Sequence, residues 1–197
     1  MNIFIGSAFS SPYQITLIAG YRPQVKTSPI NYPYLSSWDG FVDLPFVGAR
    51  IVMPINGEWC VAGSYRYLFK SARLGGGNEV SLNISAVTVG PYYHSPTTDS
   101  RSFFINLSTG IGIGFSGFNM DIGGVTDKLQ NTDWAMIATL GFEKRIYNRF
   151  SLSGELNYVA MNSTVKGNIG NNSTTLEATL NVSGLDIDLA AGYEFDL

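Results

Sequence analysis

Charge is scarce in this chain: 14% of its 197 residues are Asp, Glu, Lys or Arg, against roughly a quarter in ordinary soluble domains. The twelve basic residues are scattered and are outnumbered by fifteen acidic ones. No patch is therefore expected to hold a polyanion, and nucleic-acid binding is set aside. Cysteine is nearly absent. Cys60 stands alone, which excludes an internal disulfide, and it lies in an expected strand without ligand-type neighbours. A metal-binding motif, a P-loop, a nucleophile elbow and a dinucleotide fingerprint are all missing, so neither metal nor cofactor is expected. Gly110-Ile111-Gly112-Ile113-Gly114 has the glycines of a phosphate loop but not its Lys or its helix. No apolar run approaches the roughly 20 residues of a membrane-spanning helix. The first residues, Met1 to Gly6, lack the basic start and long apolar core of a signal peptide. If the protein is exported, the chain is expected to be the mature form behind an initiating Met.

Hydrophobic residues nevertheless make up 45% of the chain, while mean hydropathy is only +0.09. Strict alternation explains both figures. From Phe103 the series Phe103, Ile105, Leu107, Thr109, Ile111, Ile113, Phe115 opposes Phe104, Asn106, Ser108, Gly110, Gly112, Gly114, Ser116. One face is nearly continuous hydrocarbon and the other is mostly small or polar, the period-two signature of a strand between two environments. Similar alternation runs from Tyr13, Trp59 and Phe150, and also over 41–55, 79–92, 132–145 and the C-terminal segment. This gives about eight strands, most of them longer than the 9–11 residues needed to cross a bilayer at a tilt. Segment 132–145 also carries helix-spaced apolar residues, with Thr132-Asp133 as a cap, but Trp134, Met136, Ala138, Leu140 and Phe142 alternate cleanly. In the last strand the apolar positions switch from even (Leu176 to Val182) to odd (Leu185 onward), so Ser183-Gly184 is expected to be a bulge, with a tight hairpin as the alternative.

The connections alternate between long and short. Segments 23–39, 117–131 and 164–173 are read as long, 71–78 and 93–100 as medium, and 55–58 and 145–148 as tight. The fold class expected is all-β, a single eight-stranded antiparallel transmembrane β-barrel over 1–197, with short periplasmic turns and longer extracellular loops. A ten-stranded barrel and a soluble lipocalin-like barrel, whose apolar face would point inward, remain open. Aromatic residues collect towards both ends of the strands. Tyr13, Trp59, Phe103, Phe150 and Tyr193 are assigned to one girdle, and Tyr65, Tyr67 and Trp134 to the other.

By parity Arg50, Arg66, Glu143, Glu155, Asp186, Asp188 and Glu194 point inward, with Arg22 and Lys70 near the outer mouth. An eight-stranded lumen is just wide enough for side chains to fill it, and buried charges must pair. A plugging network of arginines and carboxylates is expected, with a gated path for small solutes as the alternative. The terminal strand ends in Gly192-Tyr193-Glu194-Phe195-Asp196-Leu197. It resembles the C-terminal assembly signal of bacterial outer-membrane barrels, with Gly192, Phe195 and Leu197 at the signal positions and Leu where the family usually has Phe.

By pattern and topology the whole chain resembles the small outer-membrane barrels of the outer membrane protein A/X type and the related adhesion and invasion proteins. The resemblance implies a monomeric, non-enzymatic protein in the outer membrane of a Gram-negative bacterium. Its partners would be the lipid bilayer, lipopolysaccharide and the outer-membrane assembly machinery, and its loops would take an extracellular ligand or serve adhesion. A small channel or hydrophobic-solute conduit is the alternative. The one enzymatic lead is His94-Ser95, because lipid-modifying outer-membrane barrels use a His and a Ser near an acid. Adjacent strand residues point apart, however, and the expected topology places this pair on an exposed periplasmic turn.

Overall fold

The computed structural model describes residues 13–27, 40–97, 102–169 and 174–196. The chain forms antiparallel strands β1 (Tyr13–Thr27), β2 (Gly40–Asn56), β3 (Trp59–Arg73), β4 (Glu79–Pro96), β5 (Phe103–Ile122), β6 (Val125–Tyr147), β7 (Phe150–Ala160), β8 (Asn162–Ile169), β9 (Thr174–Asn181) and β10 (Gly184–Phe195). Segment 132–145 is strand throughout, inside β6. Among the described residues no helix is long and apolar enough to cross a membrane.

The strands close a barrel of eight at every height. Near the base, where the described chain begins and ends, β1 to β7 are joined by β10, which pairs with both β7 and β1. Near the top the same ring is completed by β8 and β9, which pair with each other and touch β6 and β1. Ten segments therefore make an eight-stranded ring, because each strand of the last hairpin is interrupted once, at Met161 and at Val182-Ser183. Ser183 holds the two interruptions together. Its hydroxyl accepts from the Met161 amide at 3.1 Å and lies 3.4 Å from the Met161 carbonyl.

Two-residue turns set the register where the backbone demands them. Gly57, Gly123 and Gly124 have φ of +58°, +63° and +81°, and Asn148 has +23°. Gly and Asn are the residues that enter this left-handed region at low cost in tight hairpins. The β5–β6 hairpin pairs without interruption from Phe103↔Lys144 to Ile122↔Val125. Segment 117–131 is thus not a long loop but the upper part of two strands. Most of 164–173 is likewise strand, the upper part of β8, and β1 extends through 23–27; the remainders, 28–39 and 170–173, lie outside the described residues. The lengthened strands are possible because alternation continues past the bilayer-facing region with its chemistry reversed: Phe118, Met120 and Leu129 point inward, while Asn119, Asp121 and Lys128 point outward.

The same reversal explains Ser183-Gly184. Even-numbered side chains stay inside on both flanks, Ala178, Leu180 and Val182 above and Asp186, Asp188 and Ala190 below. The geometry does not change phase. What changes is which face is apolar, so the expected bulge is replaced by a break in pairing without a parity shift.

Candidate functional site

The outer surface carries a belt of exposed apolar side chains on every strand of the lower ring, including Leu17, Val47, Val89, Ile111, Leu140, Leu156 and Leu189. On β5 it spans Phe103 to Phe115. At about 3.3 Å per residue and a tilt near 40°, this is about 30 Å, the thickness of a bilayer's hydrocarbon core. Such a belt is costly in water and natural in lipid, and it rules out the soluble lipocalin-like alternative, whose apolar face would be inside. Trp59, Tyr65, Tyr67, Phe103, Trp134, Phe150 and Tyr193 are all exposed on this outer surface. At the base Trp59 packs on Tyr93, Phe150 on Tyr193 and Tyr13 on Phe195, with ring centroids 5.1, 4.9 and 5.7 Å apart.

Inside the lower ring the seven charged residues named from parity all point into the lumen and are buried. They gather in three layers. In the lowest, Glu143 accepts from Gln14 at 3.1 Å and from Asn106 at 3.0 Å, while Arg145 pairs with Glu194. In the middle, Arg50 reaches both oxygens of Glu155, one of them at 3.1 Å, and Arg66 donates to Asp188 at 2.9 Å and to Asn157 at 3.0 Å. In the highest, Asp186 is gripped by two nitrogens of Arg22 at 2.6 and 2.7 Å and touched by Arg66 at 3.4 Å. Guanidinium faces also cover aromatic rings, Arg50 over Tyr92 at 5.2 Å and Arg66 over Phe46 at 5.0 Å. These contacts supply the pairing a buried charge requires.

Arg22 differs from expectation: it sits within the lumen at 2% exposure, not at the mouth. It also donates to the Val182 carbonyl at 2.8 Å, binding β1 to the break in the last hairpin. Its even position on β1 was the available signal. His94 differs as well. It belongs to β4, not a turn; its ring stacks on Phe104 at 4.3 Å and its Nε2 lies 3.9 Å from Glu143. Gln14, Asn106 and Asn157 complete the network and were not anticipated, because neutral amides leave no mark in a charge pattern. Leu197 lies outside the described residues. Gly192 faces the lumen, where an added Cβ would stand 2.7 Å from the Ser151 hydroxyl and 2.8 Å from the Gln14 amide.

Opposite the charged cluster the wall is small and hydroxylated, with Ser64, Thr88, Ser108, Gly110 and Thr139 across a void of about 10 Å³ from Arg50 and Arg66. That leaves room for about one water molecule. Above Arg22 the interior turns apolar: Val25, Phe41, Leu44, Leu82, Phe118, Leu129, Val165 and Leu180 form a buried cluster. The lumen is thus filled twice, by paired charges below and by hydrocarbon above.

The sequence matches no family model and no curated protein. Its shape matches solved membrane barrels. The outer membrane protein OprG from Pseudomonas aeruginosa superposes with a TM-score of 0.65 at 14% identity, covering 96% of this chain and 99% of that one. Neisserial surface protein A gives 0.56 at 12% identity over 94% and 99% of the two chains. The attachment invasion locus protein Ail of Yersinia pestis gives 0.55 at 13% identity over 95% and 100%. At such identities the similarity speaks to the fold, and the fold is that of the small outer-membrane β-barrels.

Proposed function

We propose that this protein is an integral, monomeric barrel of a Gram-negative outer membrane that acts through its outer surface, with the lumen serving as a structural plug. The belt lies in lipid, the tight turns face the periplasm, and the hairpins above the belt stand about 15 Å into the outside space. The observation that carries this reading is the doubly filled lumen. A channel needs a continuous wet path, and here the ion-paired cluster is followed along the axis by fully buried Leu44, Leu82, Phe118 and Leu180. The extended hairpins are walled by polar residues outside and stiffened by that apolar core, which suits a surface that presents itself to extracellular ligands or host cells. The non-enzymatic reading is supported by His94, which faces the lumen beside Glu143 and Phe104, away from the outward-pointing Ser95. Gly192 and Phe195 of β10 suit recognition by the assembly machinery, since β10 makes the closing seam with β1.

Two measurements test the proposal. In planar bilayers the wild type and Arg66→Ala are expected to show no conductance steps; discrete steps in the wild type would replace the plug by a channel. Shortening the β5–β6 hairpin by removing 118–129 is expected to abolish binding of cells displaying the protein to their target surface while heat-modifiable gel mobility, the mark of a folded barrel, remains. Unchanged attachment would remove this hairpin from the binding surface.

A further inference from the structure

Where β4, β5 and β6 leave the belt, their outer face sinks into a recess of about 460 Å³ lined by Asn83, Ser85, Phe115, Gly117, Gln130 and Thr132. Its volume falls within the range of small-molecule sites, about 300–1,000 Å³. Two cross-strand rows build it. Asn83, Gly117 and Gln130 stand side by side, and Ser85, Phe115 and Thr132 form the row beneath. Gly117 makes the floor: a Cβ there would lie 2.3 Å from the Asn83 side-chain oxygen, so the absence of a side chain lets the amide of Asn83 lie across the strand. Above, Asn119 donates to Ser81 at 3.2 Å and caps the recess. Below, the next row is Val87, Ile113 and Trp134, exposed members of the belt, with Trp134 at 75% exposure.

Three properties narrow the occupant. Every polar side chain in the lining is neutral; Asn131, also in the wall, donates to Asp133 at 2.7 Å, whereas Asn83, Ser85, Gln130 and Thr132 make no hydrogen bond among the described residues. Phe115 and Trp134 set aromatic faces at the lower rim, which suit the C–H faces of a sugar ring. The recess is also continuous with the lipid-facing belt, so its occupant arrives with a hydrocarbon part already lying against Val87, Ile113 and Trp134. A phospholipid headgroup would set its phosphate in the recess, where the lining offers no cation, whereas a sugar ring brings hydroxyls that neutral amides and hydroxyls can bind, with any phosphate of the lipid left outside. We propose that this recess holds the sugar headgroup of a glycolipid whose acyl chains run down the belt between β4 and β6. This rests on the reading that the belt lies in a bilayer.

The test uses the full chain refolded into nanodiscs of phosphatidylcholine, with and without lipopolysaccharide, and follows the side-chain amide resonances of Asn83 and Gln130. Both are expected to shift only where lipopolysaccharide is present. The double variant Gln130→Ala, Thr132→Val, at exposed positions, is expected to weaken the response read at Asn83 about tenfold, as the loss of one or two ordinary hydrogen bonds implies. Lys128→Gln, one row higher, is expected to change it by less than about twofold, since one exposed charge contributes little in high dielectric. Equal shifts in both kinds of disc, or a response lost with Lys128 and kept without Gln130 and Thr132, would overturn the proposal, the latter in favour of a phosphate contact. The soluble deacylated oligosaccharide is expected to bind at least about tenfold more weakly, lacking the chain contact; equal binding would overturn the assignment to a membrane lipid. Failure of the bilayer reading would show separately, as a protein that does not enter nanodiscs at all.

Discussion

Below the level of Arg22 this barrel is polar within and apolar without; above it the same strands are apolar within and polar without. Backbone geometry is shared by the two halves, and the solvent is not. In the lower half the outside is hydrocarbon, so burying Leu17 or Leu189 inside would gain little, and the interior is held by hydrogen bonds and ion pairs among its buried charges. In the upper half the outside is water, and the core around Phe118 and Leu180 is held by the hydrophobic effect as in any soluble protein. Asp186 stands at the boundary. Its carboxylate holds Arg22, and Arg22 holds Val182, the last apolar inward residue before the break.

The comparison is most severely tested at that boundary. Asp186→Asn removes the charge shared by Arg22 and Arg66 and leaves buried cations short of a partner. Unfolding in urea from detergent, followed by tryptophan fluorescence, is expected to show a loss of about 3–5 kcal/mol; a loss below about 1 kcal/mol would mean that the lower interior does not depend on the ion pairs of Asp186. Next in size, Leu180→Ala opens a cavity in the upper core and is expected to cost about 3 kcal/mol. Hydrogen exchange should rise in β8, β9 and the top of β5–β6 while the lower ring keeps its protection; uniform loss of protection would show that the halves are one cooperative unit. On the outer surface, Leu17→Arg at the middle of the belt is expected to cost about 2–3 kcal/mol in a bilayer. The matching change above the belt, Thr126→Lys, is expected to stay within about 0.5 kcal/mol of wild type. If those two outer-surface variants cost the same, the boundary between lipid and water has been misplaced.

Much of the lower half was legible in the sequence, because there the alternation sets hydrocarbon against small and polar residues over long stretches, as from Phe103 to Ser116. The inward charges followed from parity for the same reason. The upper half was obscured by two things that look alike in sequence. Asn119, Asp121, Lys128 and Gln130 beside Gly123-Gly124 have the composition of a loop, yet they are the wet face of a hairpin whose dry face is Phe118, Met120 and Leu129. At Ser183-Gly184 the hydrophobic phase slips by one residue while the backbone does not. Periodicity reports that two faces differ; it does not report which is inside, and here the answer reverses partway along the chain. His94 differs because 93–100 reads as a connection, whereas β4 continues through it and stays paired with β5 as far as Pro96 opposite Phe104.

The seam between β1 and β10, from Tyr13↔Phe195 to Tyr21↔Ile187, carries one more consequence. It joins the first described strand to the last, so the loop closed by this pairing contains every other strand of the ring, and the entropy of closing it is met before any of its hydrogen bonds form. Contacts so distant in sequence slow folding. They also make it all or nothing with respect to the membrane: until the last strand is in place, β1 and β7 each present an unpaired edge that hydrocarbon cannot satisfy and that another chain can capture. A nascent copy lacking β10 is therefore less a short barrel than a strand-pairing hazard, and the interval between making the first strand and closing on it is the time the cell must keep that edge covered.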